Sequence, residues 1–329
     1  MNELVDQAIE SCARLLGEKP IHAGIQRPGS QAVRLRLGGG TVIAARRESS
    51  GRAKLEAHVL EALRRHGAPV PAPLARDGPW LLQEDVGADR LSRRLDGAWE
   101  AEGERWLEAA LTALSRIHLA AAQAGLQDRA ARIGAGPGWL GELIDTPRRI
   151  GRFLEVPCPR LDDHRLAYAV NVPGSSFVKW NACPDAAAAR PDWTVAWFDW
   201  RQCGRRNRLD DVARLLADET VPDWPVAESR LLAGHIDGFD EGRYPGGPYA
   251  YLRAFGSLHM AARLSILIKE MMRRGTWDYR PGGGLSLGPP RPIRNLLARA
   301  GRWAGATPAT RPLADWYEAV AEALRPPPA

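Results

Sequence analysis

The amino-acid sequence predicts an α+β protein, with strands gathered near the N-terminus and a longer, mainly helical remainder. Three observations carry that reading. Strand-like text, VRLRL and TVIAARR, is concentrated near the N-terminus, where Gly38-Gly39-Gly40 separates the two segments as a tight hairpin would require. Long apolar stripes at helical spacing fill most of the remaining chain. With 329 residues the chain is long enough to build ample core on both sides of one cleft.

In order, residues 1 to 17 read as a helix with Leu4, Ala8, Cys12 and Leu15 or Leu16 on one stripe. The turn at Pro28-Gly29-Ser30 is either a plain surface turn or a place where backbone amides approach phosphate oxygens. Arg52 to His66 is a helix with Leu55, Val59, Leu60 and Leu63 on one face, closed by Gly67, and Pro69, Pro71 and Pro73 then break the chain. Trp106 to Ala124 is a buried helix along Leu107, Ala110, Leu111, Leu114, Ile117 and Ala121, with His118 expected as a packed, hydrogen-bonded core histidine. Gly134 to Pro159 reads as a helix with loops over the cleft, and further helices are expected at Val212 to Glu219, Val226 to Phe239 and Tyr249 to Arg274.

Gly275 to Pro292 is rich in Gly and Pro and reads as a flexible connector, and the proline-rich end RPPPA as disordered. Between them, Ile293, Leu296, Leu297 and Ala300 form a stripe ringed by Arg291, Arg294, Arg299 and Arg302. Such a helix either docks on its own lobe with a solvated arginine face or rests on an anionic surface.

A net charge of +6 and pI near 9.4 suit phosphate-bearing ligands, a membrane surface or nucleic acid, and select none of them. Cys12, Cys158, Cys183 and Cys203 have no paired spacing, so neither a zinc site nor a disulfide framework is signalled, and reduced thiols in a cytoplasmic protein are expected. The acidic, amphipathic N-terminus lacks the form of a secretory signal, and no apolar run reaches the ~20 residues of a membrane span.

Chemistry concentrates between Gly174 and Asp211. Two short apolar strands, Ser176 to Trp180 and Trp193 to Phe198, each end on an oxygen ligand, Asn181 and Asp199. Paired as a hairpin, they would deliver an amide and a carboxylate to one end, a donor set suited to Mg²⁺ that keeps phosphates and water in its shell. The plainer alternative is that Asn181 starts a turn and Asp199 caps the next segment.

This stretch resembles the catalytic centre of the aminoglycoside phosphotransferase and choline kinase family, small-molecule kinases built like protein kinases. The family's catalytic loop reads HGDxxxxN, and a following strand ends in Asp-Trp or Asp-Phe. Asn181 fits the loop Asn, Asp199-Trp200 the metal-binding pair, and Asp211, followed by Val212, Ala213, Leu215 and Leu216, the Asp that opens the next helix. Counting back from Asn181, Gly174, Ser175 and Ser176 stand where the family has His, Gly and Asp.

The resemblance implies a protein-kinase-like fold with a nucleotide-binding N-lobe at 1–86, a helical C-lobe at 87–275, and a connector with basic helices at 276–329. It implies ATP and Mg²⁺ as cofactors, with Asn181 and Asp199 as metal ligands and Ser176 in the catalytic Asp position. Counting Ala44 as the small adenine-facing residue puts Arg46 in the place of the phosphate-gripping Lys, with Glu56 as its helix partner. Gln83, Glu84, Asp85 and Val86 would form the hinge that reads adenine. The implied function is ATP-dependent phosphoryl transfer to a hydroxyl of a small-molecule acceptor, impaired because Ser176 is a poor base near neutral pH. The alternative is a pseudokinase that keeps the fold as a nucleotide-binding or regulatory module. The residues that would shape an acceptor pocket carry no readable code.

Overall fold

The computed structural model of the chain describes residues 3–26, 29–136, 138–274 and 291–325. Its N-terminal part runs α1 (Glu3–Leu16), β1 (His22–Ile25), β2 (Ala32–Leu37), β3 (Gly40–Arg46), α2 (Ser50–Arg65), β4 (Pro73–Asp77) and β5 (Trp80–Glu84). The strands form one antiparallel sheet in the order β1-β2-β3-β5-β4. One face is closed by the apolar stripe of α1, where Ala8 and Cys12 pack with Val33, Leu35, Val42, Ala44, Trp80 and Leu82. Ser49 caps α2 by accepting from the Arg52 amide, and Gly67 follows the helix with a positive φ of 75°.

The second part is mainly helical: α3 (Leu91–Asp96), α4 (Glu100–Gln123), α5 (Leu126–Arg129), α6 (Trp139–Leu154), α7 (Asp163–Val170), then four short strands and α8 (Leu209–Leu216), α9 (Pro225–Phe239) and α10 (Pro248–Arg274). The strands are β6 (Ser176–Val178), β7 (Ala187–Ala189), β8 (Val195–Trp197) and β9 (Gly204–Arg206). α4 carries the expected stripe, with Leu107, Ala110, Leu111, Leu114, Ile117 and Ala121 all buried. The mixed α+β, two-part architecture therefore matches the class expected from the sequence.

The central strands pair differently from the expected hairpin. β6 lies against β9 with Ser176 opposite Arg206, while β8 lies against β7 with Val195 opposite Ala189. The Ala-rich segment that became β7 has little strand propensity of its own, so its pairing is a tertiary outcome. Trp193, expected to start a strand, sits in the β7–β8 turn with φ 62°.

The tail helices α11 (Arg291–Gly305) and α12 (Leu313–Ala323) pack on the second lobe. Arg299 is 1% exposed, bonded through Nε to Glu228 at 3.2 Å and through its terminal nitrogens to the carbonyls of Val221 and Pro222. Arg302 reaches Glu228 at 2.7 Å and Asp223 at 2.6 Å, and the Trp303 indole donates to Glu228 at 2.6 Å. Two of the four arginines are thus held inward by acids of α9 and the loop before it, far away in sequence. The Trp303 ring lies against Gly256, where an added Cβ would come within 2.2 Å. Of the connector expected over Gly275 to Pro292, residues 275–290 lie outside the described residues, as do 326–329, while Arg291 and Pro292 belong to α11 instead. Among the described residues no helix is long and apolar enough to cross a membrane.

Removing the acid at the centre of this dock leaves a buried guanidinium uncompensated. Glu228→Ala is expected to lower unfolding stability by about 3–5 kcal/mol, measured by urea or thermal denaturation. Stability unchanged within error would mean that α11 is not held by this acid.

Candidate functional site

The loop after β6 forms the floor of the cleft, and a buried carboxylate holds it. Asp211, in the first turn of α8, accepts from the backbone N–H of Lys179 at 2.9 Å and of Trp180 at 2.7 Å. Its Oδ2 also meets His118 Nε2 of α4 at 2.8 Å, which makes His118 the hydrogen-bonded core histidine expected from the sequence. Trp180 takes a positive φ of 63° in this loop, an uncommon state for a bulky residue, and the two bonds to Asp211 hold the backbone there.

Asn181 comes next and meets Asp199, its Nδ2 lying 3.2 Å from Asp199 Oδ2. The two residues singled out from the sequence are therefore brought together, although by two separate strand pairs. Asp199 is not free. Arg201 grips both of its oxygens, Nε to Oδ1 at 2.6 Å and Nη2 to Oδ2 at 2.9 Å. Lys179, fully buried, donates through Nζ to the carbonyls of Asn181 at 2.6 Å and Asp199 at 3.2 Å, and lies 5.4–5.5 Å from the ring centroids of Trp197 and Trp200. Burial pulls the Lys179 ammonium below its usual value, with Asp199 opposing. Burial alone would push the Asp199 carboxyl up, but the Arg201 hydrogen bond and the charges of Lys179, Arg201 and Arg47 together hold it at about 2.

On the N-lobe side the arginine that meets Glu56 is Arg47. Its Nη2 lies 2.6 Å from Glu56 Oε1, Nε pairs with Oε2, and both side chains are buried. Glu56 Oε1 also receives the Trp200 amide at 3.4 Å, so one carboxylate joins both lobes. Arg46, the residue chosen from the sequence, is exposed. The difference is one residue and has a simple cause. Side chains alternate across a strand, and Ala44 packs in the α1 core while Ala45 and Arg47 line the cleft.

The cleft is a cavity of about 410 Å³. Its roof is Ile43 and Ala45 with Gln83, Glu84, Asp85 and Val86, its apolar floor Ala186 and Phe198, and Gly29 and Ser30 approach from the β1–β2 turn. Pro28, grouped with them in the sequence, lies outside the described residues. Gln83 is buried and its Oε1 has no partner among the described residues.

Ser176 does not reach this cleft. It sits on β6, its hydroxyl bonded to Glu241 and receiving Arg208 Nε at 3.1 Å, so the hydroxyl belongs to a contact with the loop after α9. The side chain that faces Asp199 from the loop is Asn181, and Ser176, expected in the catalytic position, lies away from it. The sequence reading also passed over Lys179, Arg201 and Asp218. A lysine inside the apolar run Phe177 to Trp180, and an arginine two residues after Asp199, were the available signals.

Asp218 and Glu219, at the far wall, line the same cavity with His259 and Arg263. Asp218 Oδ1 accepts from the Thr220 amide at 2.9 Å and hydroxyl at 2.6 Å, and Arg263 pairs with Glu219. Burial, with the Glu219 charge adding to it, pushes the Asp218 carboxyl up to about 7.

A five-stranded lobe joined to a helical lobe, with a buried Arg–Glu pair above and an Asn–Asp pair below one cleft, is the architecture of a protein-kinase-like fold. The model of the phosphotransferase enzyme family matches residues 28–167, ending before the loop that carries Lys179. No curated protein matches the chain. Among solved structures the fold is shared with a candidate aminoglycoside phosphotransferase of Ralstonia eutropha (16% identity, 95% of this chain and 98% of that one, TM-score 0.59). It is also shared with macrolide 2′-phosphotransferase of Brachybacterium faecium (15%, 100% of both chains, 0.56) and with spectinomycin phosphotransferase in its AMP-bound form (11%, 82% and 92%, 0.52). These likenesses show a fold similar to that of aminoglycoside phosphotransferases.

Folding favours neutral Asp218. Between the ordinary value of 3.8 and about 7 the folded protein keeps a proton that the unfolded chain has lost, so this group's contribution to stability falls as pH rises through that window. Asp218→Asn cannot ionise, and relative to wild type it is expected to gain on the order of 2 kcal/mol between pH 5 and pH 8. Melting temperatures of the two proteins that ran parallel across that pH range would show instead that Asp218 titrates normally.

Proposed function

We propose that the chain is a nucleotide-binding protein of phosphotransferase fold in which phosphoryl transfer is lost or greatly slowed, a pseudokinase. The observation that carries this reading is Asn181, facing Asp199 from the loop after β6. Laid on that loop, the pattern HGDxxxxN places Lys179, Trp180 and Asn181 at His-Gly-Asp and Ala186 at the final Asn. Transfer to a hydroxyl uses a carboxylate there to accept or orient the proton, which an amide cannot replace, at a cost of ~10²–10⁴ in rate. Ala186 offers no ligand at all.

Nucleotide binding is supported by the rest of the cleft. Backbone groups at Gln83 to Val86 edge the cavity, Ile43, Ala45, Val86 and Phe198 offer apolar faces to a base, and Arg47, held by Glu56, points a guanidinium at the phosphate side. The cavity volume lies in the range of small-molecule sites, roughly 300–1,000 Å³. A relative of the same fold, spectinomycin phosphotransferase, has been solved with AMP, and also with ADP and spectinomycin.

A second reading rests on Asp218, a carboxyl in the same cavity that is partly protonated near neutral pH and could serve as a substitute base for a slow transferase.

The test combines binding and turnover. ATP or ADP at saturation is expected to raise the melting temperature by about 3 °C or more, because it binds only the folded state. With γ-labelled ATP and a panel of aminoglycosides, macrolides and amino alcohols, no label transfer above background is expected. Transfer that survives purification and disappears in Asp199→Ala would overturn the pseudokinase reading, and its additional loss in Asp218→Asn would establish the second.

A further inference from the structure

We propose that Arg201 stands in for the divalent cation of this cleft, so that the site takes the phosphates of a nucleoside di- or triphosphate without magnesium. The inference rests on the nucleotide reading above but concerns a different question, namely what neutralises the phosphates.

The fold implies a cation held by the cleft's oxygen ligands, and the residues present do not fit one. Mg²⁺ demands near-octahedral oxygen coordination and draws on carboxylates that are free to bind it. Here both oxygens of Asp199 are committed to the Arg201 fork at 2.6 and 2.9 Å, the bidentate geometry in which an arginine–carboxylate pair is strongest. Asn181 directs its amide nitrogen at Asp199 Oδ2, and Ala186 contributes no side-chain donor. Among the described residues no group of three or more His, Cys, Asp or Glu side chains is placed to hold a metal ion.

Charge points the same way. Lys179, Arg201 and Arg47 all act on Asp199, while Glu56 is the acid paired with Arg47. Three fixed cations thus act on the one carboxylate a metal ion would use, and an added divalent cation meets their repulsion at that oxygen pair.

Arg201 is also built to receive that anion. Two of its five N–H groups are spent on Asp199, and its side chain remains 45% exposed. It lines the nucleotide cavity and a second cavity of about 650 Å³ bounded by Arg46, Arg52, Arg132 and Trp200. A phosphate at that junction would find a guanidinium oriented by Asp199, as it would otherwise find a metal ion oriented by the same carboxylate. Arginine is well matched to this task because its planar fork keeps its charge at every working pH.

The test uses the full-length protein in two measurements. In the first, Mn²⁺ alone is titrated and followed by electron paramagnetic resonance. Wild type is expected to leave millimolar Mn²⁺ free, and Arg201→Ser to gain a bound signal that the double variant with Asp199→Asn loses. In the second, ADP binding is measured by calorimetry in EDTA and in Mg²⁺. Wild type is expected to bind equally in both buffers, while Arg201→Ser is expected to weaken by about tenfold or more in EDTA and recover with Mg²⁺, as loss of a bidentate charged contact requires. Wild-type Mn²⁺ binding that depends on Asp199, or ADP binding that requires Mg²⁺, overturns the proposal. A wild type that binds no nucleotide in either buffer removes the nucleotide reading instead, and the Mn²⁺ measurement still decides the role of Arg201.

Discussion

The cleft depends on one buried carboxylate. Asp211, with no exposure to solvent, accepts from two consecutive backbone amides and touches His118, so it ties α8, α4 and the loop after β6 into one rigid unit. A charge at that depth is tolerable only when hydrogen bonds replace the water it has lost. The bonds are also what keep Trp180 in the left-handed region and so aim Lys179 to one side and Asn181 to the other. A neighbouring network works alongside it. Asp210 pairs with Arg206 at 2.6 Å and receives the Tyr251 hydroxyl at 2.6 Å, fixing α8 to α10 and to the strand that partners β6.

On this rigid floor the charged side chains are each held by a partner. The buried Arg47–Glu56 pair keeps the link between sheet and α2, and through the Trp200 amide it reaches the other lobe. Lys179 fills the space between the loop and Asp199 and satisfies two carbonyls. Each buried cation is matched by an acceptor, which keeps the site in one shape. Asn181 presents an amide and Ala186 a methyl group, and neither is a base that takes up a proton near neutral pH. A fold is held by its core and backbone contacts, whereas transfer chemistry rests on a few side-chain oxygens.

The C-terminal helices show a related economy of charge. Composition alone described α11 as an apolar stripe among arginines, a pattern shared by surface-binding and docked helices. Arg299, Arg302 and Trp303 converge on Glu228 with Asp223 nearby, so much of the apparent surface charge is internal neutralisation. The partners lie some seventy residues earlier in the chain, beyond the reach of any local pattern.

The sequence by itself determined the class of the fold, the long helices, the hairpin across Gly38 to Gly40, and Asn181 and Asp199 as residues of one site. These arise from apolar periodicity and from local residue chemistry, which act over a few residues and are therefore written locally. Tertiary structure alone decided which arginine meets Glu56, that Ser176 faces away from the cleft, and that Asp199 is clamped by Arg201. Strand faces alternate with every residue, so a register error of one exchanges Arg46 for Arg47. The loop after β6 has no periodicity of its own, and its position comes from strand pairing and from the distant Asp211. Physical reach is what divides the two: propensity and pattern are local, whereas register and charge pairing are settled only when remote parts of the chain meet.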